Sequence, residues 1–410
     1  MARSGRSSLC ARRRRALVGV LVAALVASVG GFTLRQPTAH ATTTSLAPCA
    51  APVVPNAQEG IQYQPNSIDA KFGQMSVWPA QTGSGPRPLV LIIQGSGFAA
   101  VTPVVPNLDS PLDCAARFLA TAGFVVAAPG YDAADGSWPT RGLLDMQHAV
   151  QWLREPAQLA AFNVDSTRVG ALGTSAGGLL AGLLGSDAAD PSYHVQAVVT
   201  WSGPLDLTDV PIEAPSVVLT PPTNVLTEVY EIQQDLLGCQ PYVPAAQPAD
   251  SWEAVPSCLN GPASEASPYK QVGPNTAPIL MANARYEGVL LGTGSCVPSG
   301  SFAPSASGCF GIPVGEPTAM FAKTQEAGIP SKLDEISDDT IVGGSGGCAG
   351  PAPLSTMHVE YAWCAQQVWD DTAAWFARYL EPESGPGPPP APPLEPGPTN
   401  IIEVTPTLTG

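Results

Sequence analysis

RVGALGTSAGGLLAGLL, residues 168–184, sets one serine between glycines, with an apolar run on either side of it. Val169 to Leu172 reads as a buried strand and Ala176 to Leu184 as a helix, so the residues between them must turn the chain from one to the other. Gly173-Thr174-Ser175-Ala176-Gly177 fits the G-x-S-x-G pattern at that place. A turn this tight forces Ser175 into strained backbone angles, while Gly173 and Gly177 let strand and helix approach without a collision of side chains. It lifts the hydroxyl above the carboxyl edge of a sheet and aims the first amides of the helix at the same point, where developing negative charge would be stabilised.

A serine hydroxyl is a weak nucleophile unless a histidine draws off its proton and a carboxylate orients that histidine. The chain has four histidines. His40 falls in an amino-terminal targeting segment, His148 in a helix ahead of Ser175, and His194 just before a strand, at the wrong end of the sheet. His358, in STMHVEYAW, follows the last expected strand and precedes the final helix, which satisfies the chain order serine, acid, histidine. The acid belongs after the strand Ile279 to Ala282. Glu287, in LMANARYEGVLL, is the first carboxylate there, with Asp334, Asp338 and Asp339 as alternatives. For the oxyanion, Ala176 supplies one amide, and the small-residue turn Gln94-Gly95-Ser96-Gly97-Phe98 can supply the others.

Outward from this centre, short apolar runs alternate with helical patterns. The expected strands are Leu89 to Ile93, Phe124 to Ala128, Val169 to Leu172, Val195 to Trp201, Ile279 to Ala282 and Lys332 to Ile336. The expected helices are Leu112 to Ala122, Gly142 to Arg154, Ala176 to Leu184, Thr318 to Ala327 and Val368 to Leu380. Strands that are apolar throughout and separated by helices predict a mostly parallel, doubly wound α/β sheet with both faces covered. The alternation breaks over about 206–271, a proline-rich stretch with one helical pattern, Val225 to Leu237, which reads as a cap-like insertion.

The ends are of a different kind. Residues 1–41 combine a basic head with Arg12 to Arg15, an apolar run from Ala16 to Gly30 and an Ala39-His40-Ala41 cleavage pattern, so they read as a secretory signal peptide. A retained anchor is the alternative, disfavoured by a run shorter than the ~20 residues a spanning helix prefers. Residues 42–85 read as an amino-terminal arm with one strand around Lys71 to Trp78, residues 86–381 as the catalytic domain, and 382–410 as a Pro-rich flexible tail.

Cleavage after Ala41 removes seven of the 18 basic residues and no acidic one. It leaves 34 acidic against 11 basic side chains, a formal charge of −23. Such a surface repels nucleic acid and anionic membranes, so neither is expected as a partner once the signal is gone. The sequence leaves the oligomeric state open. Eight cysteines remain, Cys49, Cys114, Cys239, Cys258, Cys296, Cys309, Cys348 and Cys364, and an even number in an exported chain predicts disulfides. Cys239–Cys258, Cys296–Cys309 and Cys348–Cys364 would close short loops, and Cys49–Cys114 would tie the arm to the core. No CxxC pair, HExxH, GxGxxG after a first strand or phosphate loop occurs, so neither a metal nor another cofactor is expected.

With GTSAGG at 173–178, MQHAVQWLREPAQLAAFNVDSTRVGALG before it, AVVTWSGPLDL after it and the His358 loop in place, the chain resembles secreted α/β-hydrolase superfamily members. It stands near the bacterial carboxylesterases that are themselves similar to hormone-sensitive lipase. The resemblance implies a serine esterase acting on small-molecule esters without a cofactor. It assigns Ser175, His358 and Glu287 to the triad and the amides of Ser96, Gly97 and Ala176 to the oxyanion hole. Two positions depart from the family pattern. Gln94 and Ser96 replace the histidine and the middle glycine of an HGGG turn, and Tyr286 or Glu287 stands where the family usually has aspartate. A serine peptidase of the same fold and a non-catalytic binding protein that kept the fold are the alternative readings.

Overall fold

The computed structural model describes residues 51–64, 69–96, 100–132, 140–208, 261–284, 315–336 and 365–381. Among these residues eight strands make one sheet: β1 (Gln58–Gln62), β2 (Gln74–Trp78), β3 (Arg87–Ile93), β4 (Val125–Pro129), β5 (Val164–Thr174), β6 (Ala197–Trp201), β7 (Ile279–Ala284) and β8 (Ser331–Ile336). Their order is β1-β2-β4-β3-β5-β6-β7-β8. From β4 to β8 every neighbouring pair is parallel, and β2 runs antiparallel to both β1 and β4.

The connecting helices are α1 (Pro111–Thr121), α2 (Thr140–Leu153), α3 (Pro156–Phe162), α4 (Ala176–Leu184), α5 (Pro262–Glu265), α6 (Gly315–Glu326) and α7 (Gln366–Leu380), with a 3-10 turn at Pro268–Gln271. α1 starts where Pro111 meets a Ser110 cap whose hydroxyl accepts the Asp113 N–H at 3.2 Å. α1 and α7 cover one face of the sheet, packing Leu119, Ala120, Phe376 and Leu380 against Val90, Ile92, Leu172 and Val199. α2 and α4 cover the other, with Met146, Val150, Leu179 and Leu183 against Leu91, Ile93, Ala171 and Val198.

This two-sided cover locates a crevice. After β3 the chain passes to α1 on one face and returns to β4, and after β5 it passes to α4 on the opposite face. The chains leaving the adjacent strands β3 and β5 therefore diverge, which opens the sheet's carboxyl edge between them as a topological switch point.

Two sequence readings change. Residues 42–85 were expected as an arm with one strand, whereas β1 and β2 both belong to the main sheet. β1 escapes a hydrophobic-pattern reading because it is a polar edge strand, QEGIQ, with a bulge between Gln58 and Ile61 and Gly60 at φ 69°. α3 was not anticipated either. It is only seven residues long and buries none of them fully, offering just half-buried Leu159 and Phe162 to the core, and it is bounded by Pro156 at its start and left-handed Asn163 (φ 55°) at its end.

Of the insertion, the described parts are its two stems, fastened to each other. Leu207 N–H donates to Ser267 Oγ at 2.8 Å, Tyr269 N–H to the Leu205 carbonyl at 2.9 Å, and Lys270 pairs with Asp206 at 3.3 Å. The expected helix Val225 to Leu237 lies outside the described residues, as do the signal segment and the tail. Among the described residues no helix is long and apolar enough to cross a membrane. Cys114, in the first turn of α1, is disulfide-bonded, and the other seven candidate cysteines lie outside the described residues.

Candidate active site

Ser175 joins β5 to α4 with φ 52° and ψ −127°, a conformation that costs on the order of 1–3 kcal/mol and persists only where the surroundings enforce it. They do so here at several points. The Ser175 N–H donates to the Trp201 carbonyl on β6 at 2.9 Å, and the Gly178 N–H donates to the Ser175 carbonyl at 2.8 Å. Glycines make room on each side. A Cβ at Gly173 would lie 2.7 Å from Gly178 Cα, one at Gly177 would lie 2.7 Å from the Ile93 carbonyl carbon, and one at Gly178 would lie 2.6 Å from Gly203 Cα. α4 thus carries three glycines, poor helix formers, because nine consecutive residues are buried against β3, β5 and the segment after β6. The Ser175 hydroxyl is not used to cap its own helix. Ala176, the first helical residue, has an N–H with no acceptor inside the helix.

Across the crevice, β3 ends in Gln94-Gly95-Ser96. Gly95 lies against the serine, close enough that a Cβ there would sit 2.6 Å from Ser175 Cβ. The Gly95 N–H donates to Thr174 Oγ1 at 3.0 Å, so that amide is already committed to the residue before the nucleophile. Tyr131, fully buried just beyond β4, donates its hydroxyl to the Gln94 carbonyl at 2.7 Å. Ser96 Oγ meets the same tyrosine oxygen at 3.1 Å. A phenol has one proton, and a carbonyl can only accept, so the Ser96 hydroxyl is the donor of that second bond. Burial pushes the Tyr131 phenol above its ordinary range, which keeps it protonated as this arrangement requires.

Behind Tyr131, Asp132 and Asp145 are both buried, and the Asp132 N–H donates to Asp145 Oδ2 at 2.7 Å. Burial raises the Asp145 carboxyl, opposed by that amide and by Arg141, whose Nε lies 3.7 Å away. On the far side of Ser175, Glu316 at the start of α6 accepts the N–H groups of Leu205 and Asp206 at 2.9 and 3.2 Å. It thereby anchors the chain where the insertion departs.

Of the residues expected from sequence, Ser175, Ala176 and Ser96 come together at the crevice. Gly97, Glu287 and His358 lie outside the described residues. β7 and β8, which precede Glu287 and His358 in the chain, run parallel to β5 and so end at the same edge of the sheet as Ser175. Asp334, an alternative acid, is otherwise engaged. It sits within β8 opposite Ala282, buried, with Lys332 Nζ 3.0 Å from it and 2.6 Å from Asp371 of α7. Burial first, and Asp371 beside it, push Asp334 up to about 6 against the pull of Lys332. His194 precedes β6 and contacts the Asn275 carbonyl at 3.0 Å through Nε2, and burial holds its pKa down. His148 lies on α2 near Gln64. Sequence reasoning passed over Thr174 and Tyr131. Thr174 occupies a wildcard position of G-x-S-x-G, and Tyr131 is one tyrosine between Gly130 and Asp132 with no pattern to mark it.

Comparison with known proteins agrees with this fold. A BD-FAE family model matches residues 75–242, which takes in β2 to β6, Ser96 and Ser175. A fumonisin B1 esterase of Sphingopyxis macrogoltabida is 28% identical over 162 residues, covering 36% of this chain and 28% of that protein. The chain therefore spans under a third of that relative's length. Among solved structures, a truncated carbohydrate esterase from gut microbiota superposes with a TM-score of 0.54 at 15% identity, covering 82% of this chain and 99% of that one. A bifunctional GH43-CE protein of Bacteroides eggerthii gives 0.51 at 17% identity, over 79% of this chain and 35% of that one.

Proposed function

We infer that this chain, which has the α/β-hydrolase fold, is a serine hydrolase that cleaves carboxylic esters of small molecules through an acyl-enzyme intermediate. The observation that carries the reading is Ser175, held at φ 52° and ψ −127° between β5 and α4 beside the Gln94–Ser96 turn. A backbone that strained, enforced from three sides, sets a hydroxyl at a helix amino terminus and has no evident purpose in packing alone.

In this proposal His358 takes the Ser175 proton as Oγ attacks the ester carbonyl, and Glu287 holds the imidazole tautomer and stabilises the imidazolium. The amides of Ser96, Gly97 and Ala176 receive the tetrahedral oxyanion. The oxyanion collapses, the alcohol leaves with the proton from His358, and the acyl group stays on Ser175. Water, deprotonated by His358, then attacks the acyl-enzyme and releases the acid. The names of the relatives, a fumonisin B1 esterase and a carbohydrate esterase, support an ester as the bond that is broken. The basic and apolar amino terminus supports export, and the disulfide at Cys114 accords with an oxidising compartment. In the same reading Cys49 is its partner and the remaining six cysteines pair in loops.

The test is hydrolysis of p-nitrophenyl acyl esters of graded length beside peptide anilides, by the chain and by Ser175→Ala. Ester turnover that disappears in the variant supports the reading. Cleavage of anilides in preference to esters replaces it with a peptidase, and turnover that survives Ser175→Ala overturns it.

A further inference from the structure

We propose that Tyr131 is a positioning residue that locks the oxyanion turn, and that Ser96 is its hydrogen-bonded partner in doing so. The inference rests on the esterase reading of Ser175 and deepens it.

The geometry concerns a single peptide plane. The carbonyl of Gln94 and the N–H of Gly95 belong to the same peptide unit and point in opposite directions. Tyr131 donates to the first at 2.7 Å and Thr174 Oγ1 accepts from the second at 3.0 Å, so this plane is held at both ends and cannot flip. The next side chain, Ser96, is tied by its own hydroxyl to the same tyrosine oxygen at 3.1 Å. Thr174 adjoins the nucleophile in sequence, which means the turn is fixed relative to Ser175 itself. An oxyanion hole acts only when its donors stand ready about 3 Å from where the charge will develop, since reorganisation during the reaction forfeits the gain. Glycines in this turn would leave the backbone free to move. In this chain Ser96 stands at the third position of the turn, and its hydroxyl gives Tyr131 a second hold on the segment.

Tyr131 is also held so that it can act as a fixed post. It is fully buried, and its own backbone pairs with Val101 in an isolated antiparallel bridge, at 2.8 and 2.9 Å. Tyr63 provides a matched control. It too is a buried tyrosine, and its hydroxyl donates to a backbone carbonyl, that of Gly130, at 2.7 Å, but that carbonyl is not part of the turn.

The test compares Tyr131→Phe, Ser96→Ala, the double variant and Tyr63→Phe in the full chain. It measures kcat and KM with p-nitrophenyl acetate, the inhibition constant of an aryl boronic acid that forms a tetrahedral adduct on serine, and Tm. Tyr131→Phe is expected to lower kcat and boronate affinity together by about 10- to 100-fold, with KM changed less than about threefold, because only the tetrahedral species uses the hole. Ser96→Ala is expected to lose about 3- to 10-fold in kcat, and the double variant to be no worse than Tyr131→Phe by more than about twofold, since both act through one plane. Tyr63→Phe should keep kcat within about twofold while losing a similar amount of Tm.

An active wild type whose Tyr131→Phe and Ser96→Ala forms keep kcat and boronate affinity overturns this inference alone. Equal kcat losses in Tyr131→Phe and Tyr63→Phe also overturn it, because the effect would then be general loosening. Should Tyr131→Phe fail to fold, Ser96→Ala decides by the same measurements. A wild type with no serine-dependent turnover overturns the esterase reading, and this inference with it.

Discussion

Gly95→Ala tests whether the turn after β3 and the bend at Ser175 form one fixed unit. A methyl group there would stand 2.6 Å from Ser175 Cβ and would also meet the Thr174 carbonyl oxygen. Ordinary contact begins near 3.4 Å, so turn and nucleophile must separate by about 0.8 Å. Neither side yields easily. The Gln94–Gly95 peptide is bonded at both ends, and Ser175 is held by the Trp201 carbonyl and by the close approach of Gly177 to Ile93. Overpacking of this kind costs about 1–3 kcal/mol of stability. A displacement near 1 Å of catalytic groups costs about 10²-fold in rate, equivalent to about 2.7 kcal/mol of barrier. The assay is kcat/KM for p-nitrophenyl acetate, normalised to active sites titrated with a fluorophosphonate, beside a thermal denaturation curve. The expected result is a loss of about 10²-fold in a protein that still folds. A folded variant within about threefold of wild type would show that turn and serine are not geometrically coupled, and the reasoning would be wrong.

His358→Ala and Glu287→Gln should each lower kcat by about 10³- to 10⁴-fold in ester hydrolysis, and near-normal turnover in Glu287→Gln would move the acid to Asp338 or Asp339. Asp334, raised to about 6, favours its protonated form in the fold, so its contribution to stability is complete below about pH 4 and is lost as pH rises through about 6. Asp334→Asn should accordingly gain about 2 kcal/mol relative to wild type between pH 4 and pH 7 in urea denaturation, and a constant difference across that range would contradict the assignment. Glu316→Ala strips the Leu205 and Asp206 amides of their buried acceptor and should cost about 3 kcal/mol by the same measurement, whereas a change under about 0.5 kcal/mol would mean that the stem does not depend on it.

The sheet was legible where burial leaves a pattern. Leu89 to Ile93, Val169 to Leu172 and Ile279 to Ala282 are apolar because they are covered on both faces, and each became a parallel strand in the order that a doubly wound sheet requires. Ser175 was legible for a different reason. Its strain needs glycines at 173 and 177, and those glycines are visible in the sequence. β1 was hidden because an edge strand can be polar, and α3 because a seven-residue helix that offers only Leu159 and Phe162 to the core is too short to show a period. The clamp on the oxyanion turn was hidden because it joins residues from three strand ends, Gln94, Tyr131 and Thr174, whose proximity comes from the strand order β4-β3-β5 and from no local spacing. The departure of Ser96 from a glycine was visible in the sequence, but its bond to Tyr131 was not.

The central claim is that Ser175 is an activated nucleophile, and covalent labelling tests it most directly. The full chain is treated with a fluorophosphonate, digested and mapped by mass spectrometry, beside Ser175→Ala. The account predicts one phosphonyl adduct per chain, located on Ser175 and absent from the variant. An unmodified Ser175, or an adduct that persists in Ser175→Ala, would contradict it.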